Sequence, residues 1–154
     1  MRSIAAVAAV LGLAAANVGH AAGIEVRNAW IPATPPGART AAGYGSIANH
    51  GPTTDRLMGG HTAAAASVEV HQMSTAGGVM RMRLVAGGLA IGVSETADLG
   101  PRASYHLMLI GLKAPLTPGR RVRVVLHFQR AGDVAVDFPV RAEAPAGRPA
   151  GMHM

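Results

Sequence analysis

Arg121-Val122-Arg123-Val124-Val125-Leu126-His127-Phe128-Gln129, followed by Ala131-Gly132-Asp133 and then Val134-Ala135-Val136-Asp137-Phe138, decides the fold class of this chain. Val122, Val124, Leu126 and Phe128 point one way, and Arg121, Arg123, His127 and Gln129 the other, with Val125 the one apolar exception. A strict period of two places alternate side chains on opposite faces of a strand. The Gly-Asp turn leads into a second alternating run, Val134, Val136 and Phe138. Together they predict an antiparallel hairpin with one face in a core and one in water.

The same period runs outward from this hairpin. Ile24 to Trp30, Ala42 to Asn49, Arg56 to His61, Ser67 to Met73, Val79 to Val85 and Tyr105 to Leu109 all read as strands. Thr34-Pro35-Pro36-Gly37, Asn49-His50-Gly51-Pro52, Ala76-Gly77-Gly78 and Pro115 to Gly119 punctuate them. Thr62 to Ala66 has room for one helical turn, and Val85 to Ser104 reads as a turn-rich connection. Seven or so short strands at this spacing predict an all-β antiparallel β-sandwich. Met58 is expected in its core.

The ends are different. Met1-Arg2-Ser3 is a short positive segment, Ile4 to Ala16 is an apolar run, and Gly19-His20-Ala21 offers small residues for cleavage near Ala21. Residues 1–21 are therefore expected to be a secretory signal peptide, too short for a membrane span. Residues 22–142 form the predicted domain. Residues 143–154, rich in Ala, Pro and Gly and ending Met152-His153-Met154, are expected to be a flexible tail.

Composition narrows the chemistry. The net charge of +6 is the balance of 14 basic residues, of which only Lys113 is lysine, against 8 acidic ones. Aromatic residues make up 3% and no Arg cluster is interleaved with rings, so no nucleic-acid partner is expected. The chain has no cysteine. That excludes thiol redox chemistry, blue-copper electron transfer and thiolate zinc sites.

Two tripeptides stand out: His71-Gln72-Met73 and His106-Leu107-Met108, with Met80 and Met82 between them. Composition alone predicts roughly a third of one His-x-Met in a chain with this much His and Met. On a strand, residues i and i+2 share a face, so His106 lies beside Met108 and His71 beside Met73. Neutral imidazoles with soft thioethers suit Cu(I), and few other biological metals favour thioethers. His50, His61 and His127 have no Met at that spacing and read as ordinary surface residues. Glu69 reads as a solvated strand residue, and no acid lies within two residues of His106 or His127. No enzyme activity is expected.

The chain resembles the periplasmic copper chaperones of the PCu(A)C type. The resemblance is carried by Ala29-Trp30, Thr34-Pro35-Pro36-Gly37, Ala42-Gly43-Tyr44, Val68-Glu69-Val70-His71, Val79-Met80-Arg81-Met82-Arg83 and Tyr105-His106-Leu107-Met108-Leu109. That family's copper motif is His, ten residues, Met, about 21 residues, His-x-Met. His71 and Met82 have the first spacing, and 23 residues separate Met82 from His106. The two extra residues are expected to lengthen a loop. The resemblance implies a cupredoxin-like (Ig-like) sandwich and a Cu(I) site made by His71, Met82, His106 and Met108. It also implies delivery of copper for the binuclear copper centre of a respiratory oxidase. The acceptor would be an oxidase subunit or a thiol-containing copper assembly protein. Met73 and Met80 stand as reserve ligands or an apolar collar. Met152, His153 and Met154 could help hold Cu(II). A periplasmic monomer is expected, and a copper buffer with no dedicated acceptor would need the same site.

Overall fold

A computed structural model describes residues 19–21 and 23–142, and the side chains of 23–142. Eleven strands are found among the described residues, and no helix. They are β1 (Gly19–Ala21), β2 (Ile24–Pro32), β3 (Thr40–Asn49), β4 (Asp55–Thr62), β5 (Ala65–Ala76) and β6 (Val79–Leu84). After these come β7 (Leu89–Ile91), β8 (Thr96–Leu99), β9 (Tyr105–Leu112), β10 (Arg121–Phe128) and β11 (Gly132–Arg141). No helix among them is long and apolar enough to cross a membrane. The expected tail and most of the expected signal peptide lie outside the described residues.

The strands hydrogen-bond into one barrel-like sheet. Seven form a ring in the order β2-β3-β9-β5-β4-β10-β11. Parallel pairing of Val140 with Ile31 and Arg141 with Pro32 returns β11 to β2, and the other junctions are antiparallel. β1, β6 and β7 hang on outer edges, and β8 wedges between β3 and β9. The weakest seam is β4 to β5, one pair between Gly60 and Val68. Gly60 also pairs with Leu126. A Cβ on Gly60 would lie 2.5 Å from the Val125 carbonyl oxygen, so three strands close here only around a glycine.

Alternation builds the core as the sequence predicts. Val122, Val124, Leu126 and Phe128 of β10 meet Val134, Val136 and Phe138 of β11 inside the ring, with Ile31, Ile47, Leu57, Leu107 and Leu109. Each such side chain contributes about 1.5–3 kcal/mol on full burial. A charged group organises the β10–β11 turn. Buried Asp55 accepts backbone N–H bonds from Arg56 and Arg130 at 2.8 Å and from Ala131 at 2.9 Å. Burial pushes its pKa up. The N–H donors of Arg130, Ala131 and Arg56, with the charge of Arg130, more than offset this and hold it below the ordinary carboxylate value.

Three local expectations differ. Met58 is 47% exposed, because Leu57 takes the inward position on β4 and Met58 follows it outward. Thr62 to Ala66 holds no helical turn: β4 ends at Thr62 and β5 begins at Ala65 across a two-residue turn. Val85 to Ser104 contains β7 and β8. Strands of three and four residues are too short to show a period against their Gly-rich flanks.

Candidate metal centre

β5, β6 and β9 are adjacent, and their register gathers the imidazoles and thioethers on one face. His71 on β5 is directly opposite His106 on β9, and Glu69 is opposite Met108. On the other side of β5, Met73 is opposite Met82 and His71 is opposite Leu84. Val68, Val70, Leu107 and Leu109 point into the core. Their alternate neighbours Glu69, His71, Met73, His106 and Met108 therefore share the outer face. Met82 lies diagonal to His71 on that face. β7, β8 and their turns lie between Met82 and His106. The end of that connection is fastened to β5, where the Met73 N–H donates to the Ser104 carbonyl at 2.7 Å.

The two rings are 6.0 Å apart between centroids and tilted by 45°. His106 sits one residue past the last β3–β9 pair, at the fork where β8 enters, and is only 3% exposed. Burial, and then the proximity of His71, lower its pKa, so this imidazole is held neutral with a lone pair free. His71 is oriented by Glu69, whose carboxylate meets Nε2 at 2.7 Å. An ionised carboxylate only accepts, so Nε2 carries the proton and Nδ1 carries the lone pair. The Nδ1 atoms of both His71 and His106 are buried with no hydrogen-bond partner. Buried polar atoms are nearly always satisfied, so two orphaned nitrogens on facing imidazoles are an unmet demand for a partner, and at His71 Nδ1, which carries the lone pair, that partner is an electrophile. A soft cation fits that demand and the thioethers beside it.

The exposure gradient sets an inside and an outside. His106 is buried, His71 and Met108 are half-buried, and Met82 on edge strand β6 is 54% exposed. Met80 is 63% exposed and lies opposite Thr75, one step further from the imidazoles. Among the described residues no group of three His, Asp or Glu side chains forms a metal cluster.

Sequence proximity gave two wrong impressions of the acidic residues. Glu69 is not idle, since it bonds His71. His127 has no acid within two residues, yet Nδ1 of its ring bonds Oδ1 of Asp133 across the β10–β11 hairpin. Only the hairpin pairing would have found the second contact.

The family model described as "Putative lipoprotein LpqE-like" matches residues 24–140. "Putative lipoprotein Lxx21020" of Leifsonia xyli subsp. xyli (strain CTCB07) is 34% identical over 122 residues, covering 79% of this chain and 72% of that protein. Among solved structures, CuI-DR1885 from Deinococcus radiodurans superposes with a TM-score of 0.62 at 29% identity, over 79% of this chain and 82% of that one. The copper-bound PCuAC domain from PmoF2 superposes with a TM-score of 0.68 at 21% identity, over 82% and 98%, a likeness of fold. The match over residues 24–140 and the 34% identity carry one conclusion: the chain belongs to the LpqE-like family, which is the PCuAC family.

Proposed function

We propose that this protein is an exported copper chaperone that binds Cu(I) through His71, Met82, His106 and Met108. The observation that carries the reading is the pair of facing imidazoles whose Nδ1 atoms are buried and unpartnered, with thioethers on the same face. Its support from relatives is that solved members of this fold are described as copper-bound or as Cu(I) forms. His71 and His106 supply neutral nitrogens, so the cation keeps its charge, and Met108 and Met82 supply sulfur. The gradient from buried His106 to exposed Met82 gives copper a way in and out. The outer thioether is the first ligand an acceptor can replace. With no thiolate to hold the metal, stepwise exchange toward a Cys-containing acceptor runs downhill.

The finer reading extends to the cell. Residues 1–21 act as a signal peptide, relatives named as lipoproteins are in keeping with export, and the periplasm is the destination in this reading. Cleavage near Ala21 would remove β1 and its three pairs with β2, leaving the β2–β3 and β2–β11 ladders intact. The barrel-like sheet is a cupredoxin-like sandwich in this reading. The monomer carries copper to the assembly of a respiratory oxidase, and the Met152-His153-Met154 tail assists with Cu(II). The protein is a carrier and not an enzyme.

The test is Cu(I) titration against a chromophoric chelator, for the wild type and a His106→Ala/Met108→Ala variant. The wild type should compete for one equivalent and the variant should not. Equal competition by both would sink the site. A transfer assay to a dithiol copper acceptor then separates chaperone from buffer: a buffer retains its copper.

A further inference from the structure

A second group of imidazoles lies on β4 and β10, outside the thioether site. His61 pairs with Val125 and His127 with Gly59, so the two histidines are diagonal neighbours across the β4–β10 ladder. Their rings are 4.9 Å apart between centroids and tilted by 38°. His61 Nδ1 is 2.9 Å from His127 Nε2. On its far side, His127 Nδ1 bonds the carboxylate of Asp133 on β11.

The proton positions follow from this chain. Asp133 only accepts, so His127 Nδ1 carries a proton and its Nε2 carries the lone pair. That lone pair accepts the Nδ1 proton of His61. A hydrogen bond between exposed rings contributes little to stability. The arrangement has a further property. Two nitrogens bound at about 2.0 Å to one cation and at a right angle are about 2.8 Å apart. The 2.9 Å between Nδ1 and Nε2 is a hydrogen bond, and it brings the two nitrogens to about the separation that two cis ligands need. A carboxylate behind the distal nitrogen of a ligating histidine is also how metal-binding imidazoles are oriented.

We propose that His61 and His127 form a second, surface metal site for a borderline divalent cation, Cu(II) foremost, with Asp133 as the residue that positions His127. Nitrogen donors without sulfur favour Cu(II) over other first-row divalent ions and give Cu(I) no thioether. Asp133 does not ligate; its carboxylate holds the distal nitrogen of His127. Water completes the coordination. The His61 ring turns to bring Nδ1 and His127 Nε2 onto one cation. Its proton moves through solvent from Nδ1 to Nε2, so two neutral imidazoles bind with no net proton release. β4 and β10 both belong to the closed ring, which fixes the spacing of the clamp. This inference does not depend on the Cu(I) reading of the other site.

The test uses the full chain. With Zn(II) as a diamagnetic probe, ring-nitrogen NMR should show His127 Nε2 and His61 Nδ1 moving to metal-bound shifts while His127 Nδ1 keeps its proton. Cu(II) titration against glycine, read by EPR, should lose about one equivalent in a His61→Ala/His127→Ala variant. Asp133→Ala should weaken that equivalent by roughly tenfold or more. Asp133→Asn, whose side-chain oxygen still accepts the Nδ1 proton, should retain most of it. Ring signals of His61 and His127 that stay still through millimolar Zn(II) would overturn the proposal. So would a double variant that binds Cu(II) with wild-type stoichiometry and affinity.

Discussion

Glu69→Ala is the substitution that tests how the imidazole pair is prepared for metal. The Glu69 carboxylate holds His71 Nε2 at 2.7 Å, and its side chain is 35% exposed while that of His71 is 16% exposed. A hydrogen bond to a charged group is worth about 1.5–3 kcal/mol, and partial exposure places this one at the low end. Removing it frees the ring to rotate and allows the tautomer with the proton on Nδ1, which cannot bind metal through the buried nitrogen that faces His106. A loss of about 1.4 kcal/mol is tenfold in affinity. Partners behind metal-bound histidines are generally worth about 10–100-fold. Cu(I) affinity, measured by chelator competition near neutral pH, should therefore fall about tenfold in Glu69→Ala. It should fall much less in Glu69→Gln, whose amide oxygen still accepts the Nε2 proton. Wild-type affinity in Glu69→Ala, or equal losses in both variants, would refute the orientation argument.

Further outcomes follow from the same structure. Met82→Ala should weaken Cu(I) binding by about tenfold (about 1.4 kcal/mol) while leaving the urea midpoint unchanged, because Met82 is 54% exposed and lies on an edge strand. Gly60→Ala should destabilise the apo fold by about 1–3 kcal/mol, read as a lower urea midpoint, since its Cβ would lie 2.5 Å from backbone at Val125. Asp55 has a folded pKa below its ordinary 3.8, so its contribution is present above that value and is lost as pH falls through the folded pKa. Acid titration of wild-type stability should show this fall below about pH 4. Asp55→Asn should lack that limb and lose about 1–3 kcal/mol at neutral pH, because its amide nitrogen faces N–H donors.

Much of this was readable in the chain because strands of eight or more residues repeat their pattern often enough to be unambiguous. Arg121 to Phe128 declared its inward face, and the structure buries Val122, Val124, Leu126 and Phe128 as that pattern requires. Ser67 to Met73 put His71 and Met73 on the face opposite Val68 and Val70, whereas Tyr105 to Leu109, mostly apolar, showed only that His106 and Met108 lie side by side, and the structure sets the pair outward. β7 and β8 were not legible, since three or four residues hold no period. Met58 was misplaced because hydrophobicity alone does not choose between the two sides of β4.

What the sequence determined by itself is the inventory and the parity: all-β strands, no thiol, and His and Met two apart on a common face. Those follow from covalent order and the fixed geometry of a strand. Which strands become neighbours is a different matter, set by how the apolar faces pack and where the ring closes. Only the tertiary structure brought β5 between β6 and β9, set His71 opposite His106, and buried His106 at the fork made by β8. It also brought His61, His127 and Asp133 together from β4, β10 and β11, residues that look unremarkable one at a time. Pairing across strands joins positions far apart in the chain, and parity within a strand cannot specify it.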